Sequence, residues 1–409
     1  MGHGGTHNRL TQLAWACGAA VLLAGVVLAT APGSSAGPLS EKVVMLTSTT
    51  DVGQTPYSIP GSISLIHVVA VGAQGGAADC GCLSPDNALP GKGARVEADL
   101  SVEGGSKAFL NVGGAGSVPN IGDGGSNGGG DGTQDPTGGS GGGGGGASDV
   151  RTISRSQVAT TLASRLIVAA GGGGAGSDGN SCLGAPSPTG GAGGDAAAAG
   201  STAGGGTAEA RGGGGGAGTQ SDGGGAGFGG TSDLGNADPG IAGSLGLGGA
   251  GGTSSNLPGG EGGGGGGGLY GGGGGGGGTN VSDCPLAGGG GGGGGSSLVP
   301  AGGAVSLPDP VVPASITITA TTPRSQITDG PPKVVRTRGR KKAVSFEFDS
   351  PSGAAGFECS LDRRAYMDCA SPLKRKFRRG RHLVRVRAVN LIGNADQTPA
   401  KARFRVKGA

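Results

Sequence analysis

Apolar and polar residues alternate with a period of two through much of residues 41–115. Residues 94–102 (Ala-Arg-Val-Glu-Ala-Asp-Leu-Ser-Val) alternate without a fault, the signature of a strand with one buried face. Residues 63–71 are more continuously apolar, which predicts a strand covered on both faces, and residues 108–112 predict another. Turn residues separate them at Pro60-Gly61, Pro90-Gly91 and Gly104-Gly105. From Gly122 to Ser297 the alternation gives way to glycine runs, the longest at 141–146, 262–268, 271–278 and 288–295, broken by apolar islands at 147–151, 166–170 and 269–270. Residues 313–322, with Ile316 and Ile318 followed by Thr317 and Thr319, predict a strand that closes back on the first ones. After Pro323, Pro331 and Pro332 the alternation resumes at Val344, Phe346 and Phe348, at Val384, Val386 and Ala388, and at Phe404 and Val406.

Glycine supplies 104 of the 409 residues and aromatic residues only 3%. Such a chain buries too little apolar surface to offset backbone entropy in the ordinary way. A conventional core along the whole length is excluded. One reading of the tract is a flexible linker. The other is an extended, polyproline-II-like glycine helix, whose neighbours approach closely for want of a Cβ and bond sideways through their amides. The length of the tract, and its punctuation by cysteines and strand islands, favours the ordered reading.

The N-terminus places His3, His7 and Arg9 before an apolar run at 13–29 and small residues at 32–36. This predicts a signal peptide cleaved after Ala36; a retained membrane anchor is the alternative, because the run approaches the ~20 residues that span a bilayer. No later stretch is long enough to span, so the mature chain is expected outside the cell, secreted or associated with the cell wall. Six of seven cysteines survive cleavage, and an even number in an exported chain reads as disulfides. Cys359 and Cys369 are expected to pair. Cys80 and Cys82 are too close to bridge each other comfortably, and are expected to pair with Cys182 and Cys284 in an order the spacing does not assign. Loops this long stabilise by about 3–5 kcal/mol when closed. A four-cysteine zinc site is the rival, weakened by two ligands with a single residue between them.

Charge divides the chain. Twenty of the 30 Lys and Arg follow Gly330, with six acidic residues, whereas residues 37–330 hold nine basic and 21 acidic residues. By strand parity Arg385 and Arg387 share a face opposite Val384 and Val386, and Arg403, Arg405 and Lys407 do the same on another strand. Lys374, Arg375, Lys376, Arg378, Arg379 and Arg381 add a cluster, and Arg338, Arg340, Lys341 and Lys342 another. Such a field attracts polyanions: wall polymers, acidic polysaccharide, anionic headgroups or released DNA. Nucleic-acid readers interleave aromatics, and only Tyr366 and Phe377 lie near. The competing reading is a solvated face that balances the acidic region.

Catalytic constellations are not evident. His67 lies within an apolar strand and reads as structural, His382 as a surface residue at a strand start, and no His pair has metal spacing. Gly138-Gly139-Ser140-Gly141-Gly142 fits GxSxG only as a glycine tract does by chance, without a strand–elbow–helix context. Gly91-Lys92-Gly93 lacks the Ser or Thr of a phosphate loop. Asp123, Asp131, Asp135, Asp178 and Asp222 lack the spacing of calcium repeats and read as solvated loop tips. The chain is expected to be no enzyme and to carry no cofactor or metal.

Residues 141–151 (Gly run, then Ala-Ser-Asp-Val-Arg) and 165–174 (Arg-Leu-Ile-Val-Ala-Ala, then four Gly) resemble the glycine-rich domain of the anaplastic lymphoma kinase and leukocyte tyrosine kinase receptor ectodomains, and more closely bacterial secreted proteins carrying that domain. Val71-Gly72-Ala73-Gln74-Gly75-Gly76, Asn111-Val112-Gly113-Gly114 and Leu269-Tyr270-Gly271-Gly272-Gly273 fit the same pattern. The resemblance covers about residues 41–322. It implies a tumour-necrosis-factor-like, jelly-roll β-sandwich carrying polyglycine-II-type helices; the receptors' kinase domain has no counterpart here, and their cytokine-binding residues map onto no motif. Phe357-Glu358-Cys359-Ser360-Leu361-Asp362, Cys369-Ala370-Ser371-Pro372 and residues 387–394 resemble small immunoglobulin- or fibronectin-III-like modules of exported bacterial proteins.

The expected organisation is a signal peptide at 1–36, a glycine-rich domain at 37–322, a Pro-rich linker at 323–332 and a basic Ig-like domain at 333–409, mainly β throughout. The expected function is a non-catalytic structural or recognition protein of the bacterial envelope, its glycine-rich platform tethered by the basic module to anionic surface polymers, with no intracellular nucleic acid as partner. The alternative is a ligand-binding ectodomain of receptor type, anchored through its N-terminal apolar segment and recognising a protein ligand.

Overall fold

The alternating segments become strands because each can bury one face. The computed structural model describes residues 42–47, 54–61, 63–79, 88–117, 122–134, 139–157, 159–179, 189–204, 207–254, 259–280, 287–320, 323–351, 354–390 and 393–409. The chain is mainly β. Its first strands are β1 (Lys42–Thr47), β2 (Thr55–Ser58), β3 (Leu65–Val71), β4 (Arg95–Ser101), β5 (Lys107–Asn111), β6 (Ser148–Arg151), β7 (Arg165–Ala169), β8 (Thr231–Ser232), β9 (Gly235–Asn236), β10 (Ala304–Ser306) and β11 (Ser315–Ala320). One sheet runs β1-β11-β3-β4-β10 and a second β2-β5-β6-β7, while β8 and β9 form a small hairpin. The expected closing strand is β11, which pairs antiparallel with both β1 and β3.

The two sheets share one core. Ile66, Val68, Val96, Leu100, Ile316 and Ile318 face Tyr57, Leu110, Val150 and Ile167 across it, all buried. Burial of each such side chain is worth about 1.5–3 kcal/mol, so this sandwich is the apolar anchor of the glycine-rich region. The structure corrects one detail: β3 is not covered on both faces but alternates buried and half-buried positions. On its open face His67 lies 2.8 Å from Asp99 and 3.2 Å from Glu97, both on β4. Arg95 bonds Glu97 and, with a smaller share from His67, holds its carboxyl below the usual range.

Strands run straight into glycine runs. β3 continues into 72–76 and β7 into 171–176, while the run 141–146 leads into β6. The β6–β7 ladder, Ser148 opposite Ala169, extends into bonds from Gly145 N to Gly172 O and from Gly142 N to Ala175 O. Beyond the strands the amides rotate among neighbours with a period of three. Gly262 and Gly265 donate to Gly252 and Gly249, Gly263 and Gly266 to Gly290 and Gly293, and Gly264 and Gly267 to Gly142 and Gly145, at 2.8–3.0 Å. Run 271–278 repeats the rule: Gly271, Gly274 and Gly277 donate to Ser244, Ile241 and Asp238, and Gly272, Gly275 and Gly278 to Gly266, Gly263 and Gly260. These runs are packed against one another's backbones. A Cβ on Gly275 would collide with the carbonyl oxygen of Gly290, whereas one on Gly225 would meet nothing within 4 Å.

Polar side chains of the island after the first long run fasten a glycine loop to the sandwich. Arg151 bonds Asp149 through Nε (2.6 Å) and Nη2 (2.8 Å), with the two residues 3% and 0% exposed. Asn111 Nδ2 donates to Asp149 Oδ1 (3.0 Å), and Asn127, at φ 65°, donates to Asp149 Oδ2 (2.8 Å) and to Ala147 O (2.6 Å). Arg165 is also buried and donates to the carbonyls of Leu162, Gly268 and Leu269; desolvation lowers its pKa. Asp178, expected as a solvated tip, is 3% exposed and accepts from Gly190 N. Asp123, Asp131 and Asp222 are exposed as expected, and Asp135 lies outside the described residues.

The C-terminal part is a second, smaller sandwich of β12 (Gln326–Asp329), β13 (Val334–Thr337), β14 (Lys341–Asp349), β15 (Gly356–Leu361), β16 (Met367–Cys369), β17 (Leu373–Arg378), β18 (Gly380–Val389) and β19 (Ala400–Gly408). Its sheets are β12-β14-β17 and β13-β19-β18-β15-β16. Phe346, Phe377 and Phe404 meet at its centre, with ring centroids 5.0–6.1 Å apart, beside Val384, Val386 and Val406. Cys359 and Cys369 form the expected disulfide between β15 and β16; Cys80, Cys82, Cys182 and Cys284 lie outside the described residues. Part of the expected linker is a strand: β12 pairs with β14, where Ile327 sits opposite Phe348. The module is also latched to the first sandwich. Asn394, 1% exposed, accepts from Leu65 N (3.1 Å) and donates to Leu65 O (3.0 Å) at the start of β3.

Two stability outcomes follow. Gly275→Ala is expected to lower the stability of the glycine-rich region by about 2–3 kcal/mol or more, with Gly225→Ala within about 1 kcal/mol of wild type, both read from denaturant midpoints. Asp149→Ala, which strands the buried Arg151 guanidinium, is expected to cost about 3–5 kcal/mol in the same measurement.

Candidate anion-binding surface

Strand parity and pairing decide where the basic side chains go. Every second residue of β19 points outward, so Lys401, Arg403, Arg405 and Lys407 form an exposed row while Phe404 and Val406 enter the core. Successive outward residues on a strand lie about 6.8 Å apart, which gives the row a length of roughly 20 Å. The neighbouring strands extend it. Arg405 stands opposite Arg381 and Lys401 opposite Arg385 on β18, while Arg336 of β13 stands beside Lys407. Directly opposed side chains are about 4.5–5.5 Å apart at Cβ, a spacing at which like charges destabilise. Arg385 Nε, shielded from solvent, has no acceptor in reach among the described residues.

Not all expected residues join this face. Arg387 is neutralised: it bonds Glu358 on β15 and lies over the Tyr366 ring at 4.1 Å. Lys374, Arg375, Lys376 and Arg378 belong to β17, which pairs with β14 in the other sheet. All four are exposed, but they form a separate patch rather than an extension of the β18–β19 face. Arg379 and Arg381 flank Gly380 (φ 144°) at the turn that carries the chain from one sheet to the other.

Pairing at that turn creates a feature that sequence inspection did not combine. Lys341 opposite Arg378 ends the β14–β17 ladder, so the segment 338–340 and Arg379 meet at one end of the sandwich. Arg338, Gly339, Arg340, Lys341, Arg378 and Arg379 line an open cleft of about 520 Å³. His382 supports it from below. Expected at the surface, its side chain is only 11% exposed. It packs against Phe377 and Phe404, which also touch each other, and bonds Asp362 Oδ2 (3.0 Å) and the carbonyl of Arg378 (2.8 Å). Burying an imidazole required both ring nitrogens to find partners.

Elsewhere, a smaller cleft of about 240 Å³ in the glycine-rich region is bordered by Arg151 and Arg155. Its buried Arg151 is already matched by Asp149, which leaves little field for a ligand. Among the described residues no group of three or more His, Cys, Asp or Glu is placed to hold a metal ion, and no helix is long and apolar enough to cross a membrane. No protein-family model matches the chain, and no curated protein is significantly similar to it.

The opposed cations carry a measurable consequence. Arg405→Gln, which removes one member of the Arg381–Arg405 pair, is expected to raise stability by about 0.2–1 kcal/mol at low salt. Thermal unfolding checks this: the gain should shrink as ionic strength rises, because the repulsion it removes is screened.

Proposed function

We propose that this is an exported, non-catalytic recognition or structural protein of the bacterial envelope, whose basic module binds an anionic surface polymer and whose glycine-rich region is a rigid platform. The observation that carries the reading is the row Lys401, Arg403, Arg405 and Lys407, flanked by Arg336, Arg381 and Arg385. Side chains in this row repeat at about 6.8 Å along the strand, and the carboxylates nearest it lie on the β15 side of the sheet, Glu358 bonded to Arg387 and Asp362 to His382. A linear polyanion lying along β19 meets a cation at each step. In the platform, three-residue rotation of amide bonds supports polyglycine-II-type helices, which have three residues per turn and no internal hydrogen bonds.

A ligand-binding ectodomain is the second reading. The observation favouring it is a set of exposed apolar side chains in the glycine tract, Phe228, Ile241, Leu245 and Leu247, each more than 40% accessible; apolar surface of this kind marks interaction sites. Recovery of free protein beginning at Gly37 counts against it, because that reading needs the N-terminal segment as an anchor.

Tethering is tested by retention of the full mature chain on isolated cell walls, compared with the variant K401Q/R403Q/R405Q/K407Q. Wild-type protein is expected to bind and to lose about tenfold or more in affinity between 50 and 200 mM salt, and the variant to bind weakly with a flatter salt dependence. Equal retention of both proteins refutes the assignment.

A further inference from the structure

The cleft at the turn end of the module differs from the β19 row in shape and in charge. The row is an open stripe; the cleft gathers Arg338, Arg340, Lys341, Arg378 and Arg379 around about 520 Å³ without a carboxylate among its lining residues. None of these five cations makes an ion pair with a described residue, whereas Arg95, Arg151 and Arg387 each have one. The cleft is also built rather than incidental. The Arg379 guanidinium lies where a Cβ on Gly408 would come within 3.4 Å of its Cζ, and its Nη2 reaches the carbonyl of Arg338 at 3.4 Å, which ties the two turns together. Arg378 is held through its own carbonyl by His382, itself fixed by Asp362 and two phenylalanine rings. A half-buried histidine thus fixes the backbone at Arg378, while the Arg379 guanidinium is held at the carbonyl of Arg338.

We infer that this cleft binds a compact, multiply charged oxyanion, a terminal phosphate group carried on a larger molecule. Four guanidinium groups and an ammonium suit such a group, because planar N–H forks engage tetrahedral oxyanions in a bidentate fashion and the ammonium adds a point charge. A phosphodiester within a polymer presents a single charge and belongs to the row; a terminal monoester presents up to two and an oxygen more. The volume exceeds that of a bare oxyanion several times over, which leaves room for the residue that carries it. This deepens the tethering reading: the row follows the length of a polymer and the cleft takes a charged end or branch.

The test uses the full mature chain in three forms: wild type, R338Q/R379Q, and K401Q/R403Q/R405Q/K407Q, with thermal unfolding confirming that all are folded. Each is titrated calorimetrically at constant ionic strength with inorganic phosphate, sulfate and chloride. Phosphate and sulfate are expected to saturate one site on wild type, to bind at least about tenfold more weakly to the cleft variant, and to change less than about threefold for the row variant. Arg379→Lys, which keeps the charge and loses the fork, should fall between. Glycerol phosphate and vesicles containing phosphatidic acid then separate a soluble monoester from a headgroup as the source. Non-saturating uptake, or equal weakening by cleft and row variants, overturns the cleft. Wall retention is measured in parallel, so the two ideas fail separately. Normal retention without saturable phosphate binding removes the cleft alone. Phosphate binding without wall retention removes the tether alone.

Discussion

The constraint on which the glycine-rich region depends is the distance between backbones. In the bundle, a methyl group on Gly275 or Gly292 would occupy the place of a carbonyl oxygen on the neighbouring run. Only at that separation do amides on one run reach carbonyls on the next, and only then is the backbone satisfied without a sheet or an α-helix. Glycine composition is therefore a requirement of the contact rather than a source of flexibility. Its cost is also clear. Fixing a residue's backbone costs about 1–2 kcal/mol, while a lateral hydrogen bond returns about 0.5–1.5 kcal/mol net. The bundle by itself is close to balance at best.

That balance explains why the runs issue from a sandwich. Strands β3, β6 and β7 are ordered by apolar burial, and their ladders deliver the adjoining glycines already paired. The first bonds of the bundle are continuations of strand pairing, so the entropy of bringing those chains together has been met by the core. Further in, Asn127 and the buried Asp149–Arg151 pair hold one loop in place, and Arg165 holds the turn at 268–269. Polar side chains appear where glycine runs turn, since a run of identical residues has nothing of its own to stop it sliding.

The same point marks what could be read from the chain. Strands β3, β4, β5, β7 and β11 were legible because period-two burial writes itself into residue choice, and Cys359–Cys369 because few partners were possible. The extent of β3 burial was misjudged, since an apolar run such as Leu65–Val71 does not say that its polar member, His67, will find carboxylates on the neighbouring strand. Register among the glycine runs was not legible at all: every glycine in a run is equivalent, and partners are set by strands and interruptions many residues away. In the basic module, parity correctly put Arg403 and Arg405 on one face, but it could not show that β17 lies in the other sheet or that Arg387 is spent on Glu358. The cleft was hidden for a related reason. Arg338 and Arg379 are brought together by the pairing of β14 with β17 and of β13 with β19, a long-range fact that local patterns do not contain.

These two halves divide the work in a way that follows from their chemistry. A glycine bundle consumes its backbone donors and acceptors internally and carries few side chains; those it exposes are apolar at Phe228, Ile241 and Leu247 and acidic at Asp131 and Asp222. Presenting a basic face takes a domain whose core is secured apart from its surface. The small sandwich has that capacity because three phenylalanines and a disulfide secure its core, leaving both sheet exteriors free. It uses the freedom against its own stability by setting Arg381 opposite Arg405 and Arg385 opposite Lys401. An arrangement that a fold gains nothing from, repeated along a whole face and again around a cleft, is one that the proposed anionic partner would offset. Asn394 then matters as the joint: by pairing with the backbone of Leu65 it couples this charged surface to the platform through neutral hydrogen bonds, which leaves the cations uncommitted.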